Sequence, residues 1–86
     1  MYKVDLSPVA QRFYAAAELT LAKKLARCFQ QLEKEPRARN NAKPLYGRFA
    51  GAWRYRVGDY RVIYEIDDAA YQVRVLAIVH RREAYD

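Results

Sequence analysis

The sequence predicts an α+β domain in which two helices pack on one face of a single β-sheet, in the order strand, two helices, three-stranded antiparallel meander. Residues 2–6 alternate apolar and polar side chains, two later segments have helical apolar spacing, and a long alternating run is split by a Gly-Asp pair. With 86 residues, 52% of them hydrophobic, we expect one core and a single domain over residues 1–86.

The helical part of the chain has recognisable start and stop signals. The first helix is expected to begin at Ser7-Pro8, because serine caps free amides and proline is tolerated at the first helical position. A break is expected within residues 17–20, and the second amphipathic helix must end before Pro36. Cys28 is the single cysteine, which excludes an internal disulfide, and we expect it to pack in the core.

The sequence pattern of the second half of the chain predicts a loop followed by strands. Residues 36–47 combine Pro, Gly and Asn with cations and indicate an exposed basic loop. The alternating run over residues 53–66 then turns at Gly58-Asp59, a pair suited to a two-residue hairpin, and residues 71–79 form the last strand. The side chains expected on the core face of the hairpin are Trp53, Tyr55, Val57, Tyr60, Val62 and Tyr64.

The same register places Arg54, Arg56 and Arg61 together on the other side of the sheet, which we call the arginine face. Arg56 would lie directly opposite Arg61, with Cβ atoms about 5 Å apart, and like charges in that position destabilise a sheet. An anion between them would remove this cost, and guanidinium groups match phosphate oxygens well. The alternative is that these side chains extend into water or pair with Glu65 and Asp59.

Charge and hydropathy narrow the function classes. Sixteen Lys and Arg against ten Asp and Glu give a net charge of +6, which favours a partner that carries phosphates or acidic side chains. Neither a signal peptide nor a long apolar segment is evident, so we expect no membrane association and a cytoplasmic location.

The only histidine, His80, stands near the end of the chain beside Arg81, Arg82 and Tyr85. Strict alternation along the last strand would place His80 on the arginine face. Histidine changes charge near neutral pH, so at this place it is a candidate for proton transfer, although a lone histidine is usually structural or simply exposed.

Three segments of the chain carry a resemblance to a known family. They are Lys43-Pro44-Leu45 with Gly47, the run WRYRVGDYRVIYEI at residues 53–66, and His80-Arg81 with Tyr85. Together they resemble the RelE/ParE superfamily of bacterial toxins, particularly its RelE-like messenger-RNA interferases, and the likeness extends over nearly the whole chain.

The resemblance implies an enzyme that enters the ribosomal decoding site and cuts mRNA without a metal ion or other cofactor. The 2′-hydroxyl attacks the adjacent phosphate and leaves a cyclic phosphate and a 5′-hydroxyl. This reaction requires a base, cations for the growing phosphate charge, and an acid for the leaving oxygen. The resemblance also implies a cognate antitoxin as partner, and an acidic one would complement the basic chain.

The resemblance assigns roles by position. Arg54 and Arg56 match two basic strand residues of the family's site. Arg61 and Arg81 match its phosphate-contacting arginines, and Tyr85 matches a tyrosine that contacts the RNA. Four further cations are expected to bind RNA: Lys43, Arg48, Arg74 and Arg82.

The proton acceptor is assigned on chemical grounds. Family members can have lysine at positions 54 and 56, and lysine can lose a proton, whereas arginine effectively cannot. His80 is therefore the best candidate for the base. Because neither Arg61 nor Arg81 belongs to the core pattern, we expect alanine at either position to leave the fold intact.

Two other functions remain compatible with the sequence. One is a ParE-type toxin with the same fold, which acts on DNA gyrase and cuts nothing. The other is an RNA-binding module that uses the basic face without cleavage. The His80-Arg81 pair with Tyr85 favours the ribonuclease, because a protein without catalytic activity has no need of a titratable group among phosphate-binding arginines.

Overall fold

The structure, a computed structural model, describes residues 1–38 and 40–83 and confirms the predicted α+β class. Its two helices pack on one face of a five-stranded sheet. A short 3₁₀ helix covers Gly47–Phe49. The helices and strands are β1 (Lys3–Leu6), α1 (Pro8–Ala16), α2 (Leu19–Lys34), β2 (Ala42–Pro44), β3 (Ala52–Val57), β4 (Tyr60–Asp67) and β5 (Gln72–His80).

The strands lie in the order β1-β5-β4-β3-β2. β1 is parallel to β5 and the other neighbours are antiparallel, so the predicted meander of β3, β4 and β5 forms the middle of the sheet. None of the helices in the described part of the chain is long and apolar enough to span a bilayer.

The predicted loop over residues 36–47 was wrong in one part, because it contains β2. This strand has only three residues, and the amide of Leu45 donates to the carbonyl of Ala52 while the carbonyl of Asn41 accepts from Arg56. Pro44 cannot donate a backbone hydrogen bond, which confines such a residue to a sheet edge. A strand this short leaves no period-two pattern to detect.

Both helix starts follow from capping chemistry. The Ser7 hydroxyl accepts a hydrogen bond from the amide of Ala10 at 3.1 Å, as predicted. The carboxylate of Glu18 caps α2 by accepting from the amides of Thr20 and Leu21. The expected break within residues 17–20 is therefore confirmed, and α2 ends before Pro36 as the sequence indicated.

The core lies between the helices and the predicted apolar side of the hairpin. Tyr64 is fully buried at its centre, where its hydroxyl donates to the carbonyl of Pro36 at 2.6 Å. Burial raises the pKa of this hydroxyl, and it raises the pKa of the Cys28 thiol to about 12. Other core residues include Ala10, Leu25, Leu32, Tyr55, Val57, Val62, Val73, Val75 and Ile78.

A register shift between β4 and β5 changes which side chains share a face. Ile63 is paired with Ala77, whereas the next residue, Tyr64, is paired with Val75, so β5 contains one extra residue, Leu76. One inserted residue reverses the alternation of every side chain beyond it. Val75 on one side of the bulge and Ile78 on the other are consequently both in the core.

Candidate functional site

The arginine face is formed as the sequence predicted. Arg56 pairs with Arg61 across β3 and β4, and Arg54 lies opposite Ile63 in the same register. The neighbours of these residues along each strand, such as Tyr55 and Val62, belong to the core beneath the helices. The three arginines therefore share the sheet face opposite the helices.

Arg61 is buried and is held by the hairpin turn. The residue is only 6% exposed, and Nη1 donates to the carbonyl oxygens of Gly58 and Tyr60, each at 3.0 Å. Gly58 has a φ of +56°, a conformation that glycine adopts without steric cost. The hairpin turn thus holds the guanidinium in place. The sequence pattern treated Arg61 as a surface side chain, and its burial corrects that expectation.

Arg81 is attached to the same turn. Its amide donates to the carbonyl of Asp59 at 2.7 Å, and its Nη1 lies 3.7 Å from the Asp59 carboxylate. Both side chains are more than half exposed, so this ion pair orients Arg81 but adds little stability. One turn therefore positions both arginines that the sequence analysis matched to phosphate contacts. The sequence analysis assigned Asp59 to the turn and named it as a possible partner of the hairpin arginines, and the structure pairs it with Arg81.

The cationic part of the sheet is bounded by a row that contains two acidic residues and one arginine. Arg74 pairs with Glu65 on β4 and with Asp5 on β1. Asp5 also accepts a hydrogen bond from the Gln72 side chain. Arg74, which was expected to contact RNA, therefore lies between two carboxylates, whereas Arg56 and Arg61 face each other.

The predicted placement of His80 on the arginine face is wrong. His80 pairs with Tyr60, and the two rings meet edge to face at 5.4 Å, while Tyr60 itself contacts Phe13 of α1. Its Nδ1 accepts a hydrogen bond from the amide of Arg82 at 3.2 Å. The extra residue Leu76 reverses the alternation and turns His80 to the helix side of the sheet.

The remaining predicted site residues are dispersed. Lys43 is exposed on β2 opposite Arg54, so it extends the arginine face by one strand. The guanidinium of Arg48 lies over the ring of Phe49 at 5.4 Å, and Arg82 is exposed beyond β5. Tyr85 lies outside the described residues. Within residues 1–38 and 40–83, no three His, Cys, Asp or Glu side chains are grouped as metal ligands would be.

Comparisons with known proteins agree with this architecture. Residues 6–85 match the family model of the ParE toxin of type II toxin-antitoxin systems, parDE. The chain is similar to the toxin-antitoxin complex RelBE2 from Mycobacterium tuberculosis, with 30% identity, a TM-score of 0.81, and coverage of 93% of this chain and 98% of that chain.

Two further solved structures share the fold. The archaeal RelE-RelB complex from Pyrococcus horikoshii OT3 has 24% identity and a TM-score of 0.82, with 96% of this chain and 98% of that chain covered. The YoeB/ParE toxin from Agrobacterium tumefaciens has 18% identity and a TM-score of 0.80, with 91% and 96% covered. A comparison with curated proteins found no significant match.

Proposed function

This chain belongs to the RelE/ParE superfamily of type II toxin-antitoxin toxins, and from that premise we propose that it is a ribosome-dependent mRNA endoribonuclease. In this proposal the 2′-hydroxyl of the mRNA attacks the adjacent phosphate without a metal ion, and the cut inhibits translation. The proposed place of action is the cytoplasm.

The observation that carries the proposal is the juxtaposition of Arg56 and Arg61, with Arg61 held by the turn. The register places two like-charged residues directly opposite each other on adjacent strands, and a phosphate bound between them would offset the cost of that arrangement. Negative charge grows on the phosphate oxygens as the 2′-hydroxyl attacks. A donor fixed in advance, such as Arg61, stabilises that charge without reorganisation.

The arginines provide charge stabilisation but cannot accept the proton of the 2′-hydroxyl. The geometry does not support the predicted role of His80 as the base, because the His80 ring packs against Tyr60 on the face opposite the arginines. The proposal therefore assigns phosphate binding to Arg54, Arg56 and Arg61, with Arg81 beside them. Tyr85, water, or a group of the RNA or the ribosome is the proposed proton acceptor.

We further propose that a cognate acidic antitoxin binds the arginine face and blocks it. The relative from M. tuberculosis is a toxin-antitoxin complex, and the one from P. horikoshii is a RelE-RelB complex. The chain has a net charge of +6, so an acidic partner would have complementary charge.

A second candidate function is a toxin that acts on DNA gyrase without cutting RNA. The match of residues 6–85 to the ParE family model favours it. The fold is common to both activities and does not separate them. The buried, turn-bound Arg61 favours the ribonuclease, because a fixed guanidinium is what a developing phosphate charge requires.

An assay with ribosomes that carry mRNA distinguishes the candidate functions. The purified protein is incubated with intact ribosomes that carry a short mRNA, and new 5′ ends are mapped. A parallel reaction measures supercoiling by gyrase. The proposal expects new 5′-hydroxyl ends on ribosome-bound mRNA and normal gyrase activity. Inhibited gyrase with intact mRNA would support the ParE-type function, and RNA binding without either effect would leave only a binding module.

Arg81→Ala and Arg12→Ala form a matched pair for this assay. Each removes one positive charge from an exposed residue, but only Arg81 is held at the turn beside Arg61. Cleavage is expected to fall by roughly 10²–10³ in the first variant and to stay near wild type in the second. Equal losses would show that net charge, rather than the site, determines the rate.

A further inference from the structure

A second basic region lies on the other side of β3, between that strand and α2. It is a cleft of about 270 Å³, and the residues that line it include Lys24, Arg27 and Gln31 of α2 and Tyr55 and Arg56 of β3. β2 pairs with β3 only along part of its length, which leaves the end of β3 at the edge of the sheet. The cleft is therefore open to solvent at that edge.

The charge of this cleft is of one sign. Lys24, Arg27 and Arg56 are all exposed, and none of the described residues lining the cleft is acidic. Cys28 also lines it, and because burial raises the pKa of its thiol to about 12, the thiol stays neutral at physiological pH. A concave surface with several cations and no acid attracts an anion.

The cleft adjoins the arginine face through Arg56. This residue lines the cleft and is also the partner of Arg61 across the sheet. In the other direction an adjoining depression shares Lys24, and the residues that line it include the acidic Glu18 and Asp59. Positive charge therefore continues from Arg61 over Arg56 to Arg27, and negative charge limits it beyond Lys24.

We propose that this cleft is a second phosphate-binding subsite, which holds the single-stranded mRNA on one side of the phosphate that is cut. The strand would pass from the arginine face around the end of β3, with flanking phosphates bound by Lys24 and Arg27. The identity of the strand as substrate rests on the proposed ribonuclease function. The binding of single-stranded RNA in the cleft does not, and it can be measured without cleavage.

The test is the salt dependence of RNA binding. A fluorescent, 2′-O-methylated single-stranded RNA cannot be cut, and fluorescence anisotropy gives its Kd between about 50 and 200 mM salt. Each phosphate contact on a single strand contributes about −0.7 to the slope of log K against log salt concentration. The double variant Lys24→Gln/Arg27→Gln is expected to lower that slope in magnitude by up to about 1.4, and Arg27→Gln alone by about 0.7.

The matched control is Arg12→Gln/Lys23→Gln, which removes the same two charges from exposed helix positions that do not line the cleft. Its slope is expected to equal that of the wild type. The same decrease in the magnitude of the slope in both double variants, or no decrease in either, would overturn the proposal. So would an unchanged RNA slope together with weakened binding of polyglutamate to the cleft variant, which would assign the cleft to an acidic protein.

The failure of this inference is distinguishable from the failure of the proposed function. A wild-type protein that cuts no mRNA on ribosomes would refute the proposed function, while the anisotropy slopes would still decide whether RNA occupies the cleft. If the wild type does cut, a neutral methylphosphonate at a flanking mRNA position should slow the wild type but not the cleft variant. A cleft variant that loses ribosome-dependent cleavage equally with every such mRNA would assign the cleft to ribosomal RNA and contradict the proposal.

Discussion

Replacing Arg61 with alanine is expected to lower stability and activity together. Arg61 is 6% exposed, and its guanidinium donates to two carbonyl oxygens of the hairpin turn. A hydrogen bond from a charged donor contributes about 1.5–3 kcal/mol, but water can reach the exposed turn and replace part of that energy. We therefore expect the free energy of unfolding to fall by about 2 kcal/mol, which in a chain of this size lowers Tm by roughly 8–16 °C.

The effect on activity is separable from the effect on stability. A small domain has about 5–15 kcal/mol of stability, so the variant should remain folded at 25 °C, and ribosome-dependent cleavage can be measured there. Cleavage is expected to fall by roughly 10²–10³. Arg81→Ala is the control, because it should lose a similar factor in rate while its exposed ion pair contributes less than about 1 kcal/mol.

An Arg61→Ala variant that keeps both the Tm and nearly the full cleavage rate of the wild type would contradict both roles of Arg61. An unchanged Tm alone would mean that the two carbonyl contacts add no net stability. Arg61→Lys tests the geometry, since lysine keeps the charge but lacks the planar fork of donors, and should recover only part of the activity.

Three other changes test separate parts of the structure. His80→Gln should cut at close to the wild-type rate and with the same pH dependence, because His80 lies on the helix side of the sheet. If the cleavage rate of the wild type rises with pH and that of the variant does not, His80 would be the base after all. Tyr64→Phe leaves the buried carbonyl of Pro36 without its donor and should cost about 1–3 kcal/mol, measured as a lower urea midpoint. Hydrogen bonds from Arg37 and then Tyr2 lower the pKa of Asp68, so their contribution to stability is present above the ordinary carboxyl pKa of 3.8 and is lost as pH falls through the lowered folded value. Asp68→Asn should therefore show a smaller decrease in Tm on acidification below about pH 4 than the wild type, and equal decreases would rule out this contribution.

The parts of the fold that could be predicted are those with a regular pattern. Alternation on both sides of Gly58 gave the correct pairing of Arg56 with Arg61, because a two-residue turn fixes the register of a hairpin. Ser7 and Pro36 gave the start of the first helix and the limit of the second, since capping and proline geometry act locally.

The placement of His80 could not be predicted because the strand before it carries no usable pattern. Residues 75–79 are all apolar, so alternation does not reveal that Leu76 is an inserted residue. The burial of Arg61 was missed for a related reason. An arginine between apolar neighbours indicates an exposed position, whereas the carbonyls of the folded turn favour its burial.

The direct test of the proposed chemistry is a single-atom change in the substrate. An mRNA with one 2′-deoxynucleotide on the 5′ side of the cleaved bond is placed on intact ribosomes with the wild-type protein, beside the all-ribose mRNA. The account predicts that the all-ribose mRNA yields a 2′,3′-cyclic phosphate and a 5′-hydroxyl end, and that the deoxy mRNA is not cut at that position. Cleavage of the deoxy mRNA at the same site, or an intact all-ribose mRNA, would contradict the account.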